Sequence, residues 1–386
     1  MAIREITGTA LLLPLGLKEG MSIYVEDQTG EILNVQESTT EAEFYSGIIS
    51  PGFINAHCHL ELSGLKGRIP KHTGMAGFIQ ALQGVRDSFN EEELCLNAAQ
   101  DMFLSGIQAV ADISNSLLTA PLKADARKDI PRFHTFLEVF GLNPDKSQEI
   151  QQIGLEKMKH FPEASCSLTW HAPYSSSPQL IQSIGAFAQH QSQPYSFHLL
   201  ESKEEMDLFQ YRSGPLAKLF LEWGFQPLPD WLGNTTVLDF LLPLLPREIQ
   251  MIWVHGVLLN SESIQKIVDH IPQSYFCLCP SANEYIHHSI PPVLDLLPYS
   301  DRIVLGTDSL AGNESLDLLN DLKILSEHFP SVSTEELLFW ATRNGATCMG
   351  WHDLGTLEVG KSPGLIQIDS LQQGRIISDT FVKRIV

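Results

Sequence analysis

For its length the chain is poor in cysteine, in basic residues and in long hydrophobic runs. Its six cysteines, at 58, 95, 166, 277, 279 and 348, are scattered over 386 residues. They do not make a disulfide framework, so a reducing cytoplasm is the expected setting. Lys plus Arg number 25 against 46 Asp plus Glu, a net charge of 25 − 46 = −21, with no local polybasic run. That balance argues against electrostatic binding to nucleic acid or to an anionic membrane. The longest largely apolar runs, residues 11–17 and 238–245, each hold a proline, the second Asp239 as well, and fall well short of the ~20 residues that cross a bilayer. The beginning of the sequence has one Arg before a short apolar stretch and no small-residue cleavage site, which does not read as a secretory signal. What is abundant is apolar material, 43% of the residues. Such a chain can bury one large core or two moderate ones.

Low-complexity segments and short repeats are lacking too, but β-rich runs recur. They begin near residues 53, 107, 133, 166, 195, 250, 275 and 303, at intervals of 54, 26, 33, 29, 55, 25 and 28. Each interval holds a strand, a crossover helix and two loops, and segments such as 91–104 and 261–270 carry helical apolar periodicity. Eight such units predict an α/β fold, a (β/α)8 TIM-like barrel, over residues 51–354. The two long intervals put extended connections at 60–90 and 200–249, where long loops shape a barrel's binding face. Residues 1–50 and 355–386 read as short strands broken by turn signals such as Gly20, Thr29-Gly30, Gly360, Gly364 and Gly374. The two ends are expected to pair into one small β-sandwich domain.

His57 and His59 end the first strand two residues apart, so both imidazoles point to one face. Alone the pair means little: with 14 His in the chain, chance supplies 384 × (14/386)², about 0.5, such pairs. Context strengthens it. His198 ends the fifth strand, His255 the sixth and Asp308 the eighth, the positions from which barrel side chains converge. Three neutral imidazoles and a carboxylate make an N/O shell for one divalent ion, zinc or iron, with a coordination position left for water. Such an ion brings water to a pKa near ~7. Glu201, three residues after His198, is placed to carry a proton from that water to a leaving group, though it also sits in an acidic run with Glu204, Glu205 and Asp207. Two roles are open to His255, a fourth imidazole ligand or a donor that orients water and steadies an oxyanion. An ion already holding three His and one Asp favours the second.

Several decoys fail. His59-x-Glu61 imitates the motif of nucleic-acid cytidine deaminases, but Pro-Cys-x-x-Cys is missing and the chain offers only Cys277-Leu278-Cys279-Pro280. Ser63-x-x-Lys66 lacks the partner motifs of an acylating serine, and there is no Gly-rich phosphate loop. Cys58, Cys277 and Cys279 read as buried thiols rather than ligands. Arg68, Arg212, Trp223 and Trp231 fall in the long connections, where clamping a substrate and packing a loop look alike.

The chain resembles the amidohydrolase superfamily, in the branch of cytosine deaminases, nucleoside deaminases and triazine chlorohydrolases. The matching residues are Pro51-Gly52-Phe53-Ile54-Asn55-Ala56-His57-Cys58-His59, His171-Ala172-Pro173-Tyr174-Ser175, His198-x-x-Glu201, Val254-His255-Gly256, Cys279-Pro280-Ser281-Ala282-Asn283 and Leu305-Gly306-Thr307-Asp308-Ser309-Leu310. The resemblance implies a metal on His57, His59, His198 and Asp308, proton shuttling by Glu201, and water activation shared by His255 and Asp308. Two-metal relatives use a lysine on the fourth strand. Here that strand reads Cys-Ser-Leu-Thr-Trp-His from Cys166, so one metal is expected and His171 is free to touch substrate, with capping or packing as its other reading. His59-Leu60-Glu61-Leu62-Ser63 looks like the corresponding turn of aminodeoxyfutalosine deaminases. Glu61 then either contacts substrate or anchors the first long loop through backbone amides. The chain departs from the pattern at Gly360-Lys361-Ser362-Pro363-Gly364-Leu365, where relatives usually carry Ala-Asp.

The implied activity is hydrolytic deamination of an amino-substituted heterocycle such as a purine nucleoside or base. Glu201 would act as both proton donor and acceptor, with a pKa expected to be raised by partial burial although the nearby cation pulls the other way. The rivals are a chlorohydrolase or amidase on the same scaffold and, in another class, an inactive binding homologue. The expected partner is a small, uncharged substrate, with a homodimer as the one assembly considered.

Overall fold

The computed structural model describes residues 2–89, 91–125, 127–189, 191 and 193–386; Asn90, which closes the first long connection, lies outside them. The N-terminal strands are β1 (Ile3–Leu13), β2 (Gly16–Lys18), β3 (Met21–Glu26), β4 (Ile32–Glu37) and β5 (Glu43–Pro51). Eight strands follow in the body of the chain. They are β6 (Phe53–Cys58), β7 (Ile107–Ser114), β8 (Arg132–Val139), β9 (Cys166–Trp170), β10 (Tyr195–Leu199), β11 (Met251–His255), β12 (Ser274–Leu278) and β13 (Ile303–Leu305). Each starts within one residue of the position predicted from the sequence. β14 (Leu365–Asp369) and β15 (Phe381–Arg384) end the chain.

The eight central strands form two four-stranded parallel sheets, β6-β7-β8-β9 and β10-β11-β12-β13. Their residues are buried on both faces, which explains why the runs are continuously apolar rather than alternating. The sheets meet at both margins. At one, Thr169 Oγ1 accepts from Ser196 N at 3.0 Å and His198 N donates to His171 O at 3.0 Å. At the other, Thr307 N and Asp308 N both donate to His57 O, at 3.0 and 3.1 Å. Asn55 reinforces this second margin, its Oδ1 accepting from Thr307 N at 3.1 Å and its Nδ2 donating to Thr307 Oγ1 at 2.7 Å.

The expected pairing of the chain ends takes the form of one mixed sheet in the order β15-β14-β5-β1-β3-β4, with β2 on β1. Ile6, Leu11, Ile23, Val25, Ile32, Ile49, Leu357 and Leu365 make its own core. β5 runs into β6 across Gly52, so the sheet is joined directly to the strand that carries His57 and His59.

The long connections are helical rather than open loops. The first holds a helix at Gly74–Val85, and the second holds helices at Lys203–Tyr211, Pro215–Glu222 and Val237–Leu241. Local capping starts two of these: Ser202 accepts from Glu205 N and Thr236 from Asp239 N. Pro215 opens the third, at a position where its missing N–H costs nothing. All six cysteines are free and buried. Among the described residues no helix is long and apolar enough to cross a membrane.

Candidate active site

The side chains singled out at the strand ends converge. His57 Nε2 and His59 Nε2 lie 3.2 Å apart, and Asp308 Oδ1 stands 3.8 and 3.6 Å from them. Ligand atoms of His57, His59 and His198 all fall within 4.8 Å of one another. Sharp departures from the strands aim these groups: Leu200, His255 and Asp308 all adopt left-handed backbone, with φ of 48°, 71° and 56°. For residues with a Cβ such conformations are strained and cluster where side-chain placement matters. Gly306 leaves room for the same packing, because a Cβ there would stand 2.7 Å from His57 Cβ and 2.9 Å from Cys277 Sγ.

The electrostatics fit a bound cation. Burial, reinforced by the neighbouring imidazoles, drives His57 and His59 well below the usual histidine range, and burial also lowers His198. Neutral imidazoles are the form that ligates. His198 Nδ1 donates to His171 O at 2.7 Å, which leaves the Nε2 lone pair for an ion. Burial and the facing Glu201 press Asp308 well above the ordinary carboxylate range. A carboxylate and three buried, uncharged imidazoles in contact are a donor set in search of positive charge, so the residues present suit the divalent ion that the sequence implies.

Glu201 is buried beside this cluster. His287 Nε2 approaches its Oε1 at 3.1 Å and His255 Nε2 its Oε2 at 3.6 Å. The expectation of a raised pKa is corrected here: burial alone would raise it, but His255 and His287 outweigh burial and hold the carboxylate at about 2. Asn283 Nδ2 lies 3.0 Å from His255 Nδ1. With that amide donating, the neutral ring carries its proton on Nε2, toward Glu201. His171 Nδ1 pairs with Ser175 Oγ at 2.6 Å, and its ring lines the cavity above the cluster.

That cavity has a volume of about 440 Å³. Its apolar wall includes Phe78 and Leu82 from the first long connection, Phe220, Trp223 and Phe225 from the second, and Phe140 after β8. Both long connections therefore shape the mouth. Of the four loop residues named from sequence, only Trp223 lines it. Arg68 stacks 4.4 Å over Phe89, Arg212 donates to Leu228 O, and Trp231 packs against the main core.

Glu61 is not among the residues lining the cavity, and its partners include backbone amides of the kind the anchoring alternative expects. Its Oε1 accepts from Asn115 N at 3.1 Å and Arg86 Nη2 at 3.0 Å, and its Oε2 from Ser116 N at 3.0 Å and Ser116 Oγ at 2.6 Å. Sequence reasoning missed four polar residues here: Glu138, Asn115 and Arg86, which line the cavity, and His287, which holds Glu201. Glu138 stands one residue before the end of β8, as His57 does in β6, so its strand-end position was an available signal; Asp308 lies three residues past the end of β13. His287 sits on a helix after β12 and carried none.

Comparison with known proteins places the chain in a family. The sequence pattern of the amidohydrolase family matches residues 48–384. An adenosine deaminase of Helicobacter pylori is 24% identical over 391 residues, covering 94% of this chain and 91% of that protein. An aminodeoxyfutalosine deaminase of Nitratiruptor is 28% identical over 344 residues, covering 84% and 79%. The crystal structure of Helicobacter pylori aminofutalosine deaminase in complex with methylthio-coformycin superposes with a TM-score of 0.81 at 21% identity, covering 99% of this chain and 100% of that one. The α/β fold is accordingly TIM-barrel-like.

Proposed function

Since the chain belongs to the amidohydrolase family, we propose that it is a metal-dependent hydrolase that deaminates an amino-substituted heterocycle of the purine nucleoside class and releases ammonia. The observation that carries this reading is Glu201, a buried carboxylate held by His287 and His255 at the edge of a three-histidine, one-aspartate cluster. The deaminase relatives support it. In the same reading the two parallel sheets close into one (β/α)8 barrel, with the Asn55–Thr307 clamp at the seam in support. In this reading the mixed terminal sheet serves as the small β-sandwich, with its separate core in support.

His57, His59, His198 and Asp308 would hold one divalent ion, zinc in preference to iron on this donor set. When bound, the ion supplies water acidified to near ~7, hence a nucleophile at neutral pH. The chain's own groups do the rest. Glu201 accepts a proton from water and delivers it to the ring nitrogen beside the amino-bearing carbon, which makes that carbon electrophilic. His255, in the tautomer set by Asn283, presents Nε2–H to the oxygen on which charge develops. The water oxygen bonds to that carbon, a second proton passes through Glu201 to the amino nitrogen, and the carbon–nitrogen bond breaks to release ammonia and leave the oxo product. His287 keeps the carboxylate aligned through both transfers. The apolar wall excludes water and receives the face of the ring.

Ammonia release is the test, across adenine, adenosine, methylthioadenosine, S-adenosylhomocysteine, aminodeoxyfutalosine and cytosine. The expected result is release from a purine nucleoside, reduced about 10³-fold or more in Glu201→Gln, with metal content unchanged in that variant. Silence across the panel from metal-loaded protein overturns the purine assignment.

A further inference from the structure

Glu138 stands one residue before the end of β8 and is 4% exposed, yet it lines the cavity. Its two oxygens differ. Oε2 accepts from Asn115 Nδ2 at 2.9 Å, whereas Oε1 is buried and has no hydrogen-bond partner among the described residues. The nearest ring nitrogen, His198 Nδ1, is 3.6 Å away and already donates to His171 O at 2.7 Å. A buried carboxylate oxygen without a donor is costly, and a structure keeps one where something else completes it.

The surroundings say what that something is. Asn115 is fixed from two sides, donating to Glu138 O at 3.0 Å and accepting from Arg86 Nη2 at 2.8 Å. Arg86 is in turn tied to Glu61. A cationic donor approaching Oε1 would be repelled by Arg86, and an anion would meet the Glu138 carboxylate itself. A neutral hydroxyl suffers neither conflict, and two adjacent hydroxyls suit a carboxylate backed by an amide and a guanidinium. Glu138 stands on the strand before His171, while Glu201 and His255 work from β10 and β11. The polar platform and the Glu201–His255 pair are thus carried by strands on either side of β9 and line one cavity, an arrangement that suits a sugar and the base attached to it.

We propose that Glu138 is a substrate-binding residue whose Oε1 accepts the ribose hydroxyls of the nucleoside, with Asn115, Arg86 and Glu61 as the residues that position it. The assignment rests on the nucleoside deaminase reading above. It goes further in naming the sugar, rather than the base alone, as a recognised group.

The test compares adenosine with 2′,3′-dideoxyadenosine in the metal-loaded wild-type enzyme, Glu138→Gln and Glu138→Met, with metal content and melting temperature recorded for each. Wild type should prefer adenosine in kcat/KM by about 10- to 100-fold, the worth of a charge-assisted hydrogen bond. Met should abolish the preference by lowering the adenosine value alone, and Gln, which keeps an acceptor, should retain part of it. Asn115 stays tethered to the Glu138 backbone in both variants, so the platform survives the change. A preference that persists in the Met variant overturns the assignment. So does an equal loss on both nucleosides, or loss of metal, which would mean that Glu138 acts through His198. No ammonia from either nucleoside with wild type overturns the deaminase reading itself, and this assignment with it.

Discussion

Glu205 sits one turn beyond Glu201 and is buried. Its Oε2 accepts from Glu201 N at 3.2 Å, while its Oε1 has no partner among the described residues. Burial, with Glu201 adding repulsion, pushes it up to about 8 from an ordinary 4.5. A folded pKa raised in this way means that the folded state holds the proton more tightly than the unfolded chain does. The resulting stability is present in full below 4.5 and is lost as the pH rises through about 8. Glu205→Gln keeps an acceptor for Glu201 N and removes the charge. Thermal melts should show the variant gaining on wild type steadily from pH 4.5 to pH 8; a gap that stays flat with pH would reject the account. Glu205 also marks a limit of sequence reading. The convergence of His57, His59, His198, Asp308 and Glu201 was legible because strand-end residues at barrel spacing leave few alternatives. A single glutamate in an acidic run, or His287 on a helix, has no pattern of its own and acquires a role only when the chain is folded.

Among the elements, β7 and the short helix Ala120–Ala124 hold the segment after His59 in place through a buried ion pair. Lys123 Nζ meets Asp112 Oδ2 at 2.5 Å with both side chains almost wholly buried, and Asp112 Oδ1 accepts from Leu60 N, next to His59, at 2.7 Å. Removing one member leaves an uncompensated charge in the interior, which costs ~3–5 kcal/mol, more than the pair itself contributes. Lys123→Met is therefore expected to lower the denaturation midpoint strongly, and Lys123→Met with Asp112→Asn to recover much of the loss. A double variant no better than the single one would count against the ion-pair explanation. Element positions were largely legible, since both-face burial writes continuous apolar runs into β6 to β13. The helices of the long connections were not foreseen. They depend on local caps at Ser202 and Thr236 and on packing over the cavity, neither of which leaves a long periodic signal.

The whole molecule divides its labour between two ends. The histidine–aspartate cluster and Glu201 stand at the C-terminal ends of the parallel strands, while the final residues of the chain pack at the entries to β6 and β7. Gly52 N, at the entry to β6, lies 3.1 Å from Pro363 O and 3.2 Å from Gly364 O. Leu365 pairs with Pro51. The guanidinium of Arg384 on β15 donates to Phe103 O at 2.8 Å, Ile107 O at 3.0 Å and Gln108 Oε1 at 2.8 Å, and it stacks 3.7 Å over Phe103. The sequence made the pairing of the two ends legible through shared strand-and-turn style, but not this staple, because one arginine near a terminus has no spacing to read. Conservation of chemistry at one end and cohesion at the other is the usual division in such barrels. At about 3.3 Å per residue, His57 and His59 lie some 15–25 Å along β6 from Gly52. Arg384→Ala removes three donors from partly buried acceptors and should lower stability by ~1–3 kcal/mol. Metal content and turnover per folded molecule should stay at wild-type values. Measured below the melting transition, a fall in turnover with stability intact would mean that the N-terminal ends of the strands set the geometry at their C-terminal ends, against the separation argued here.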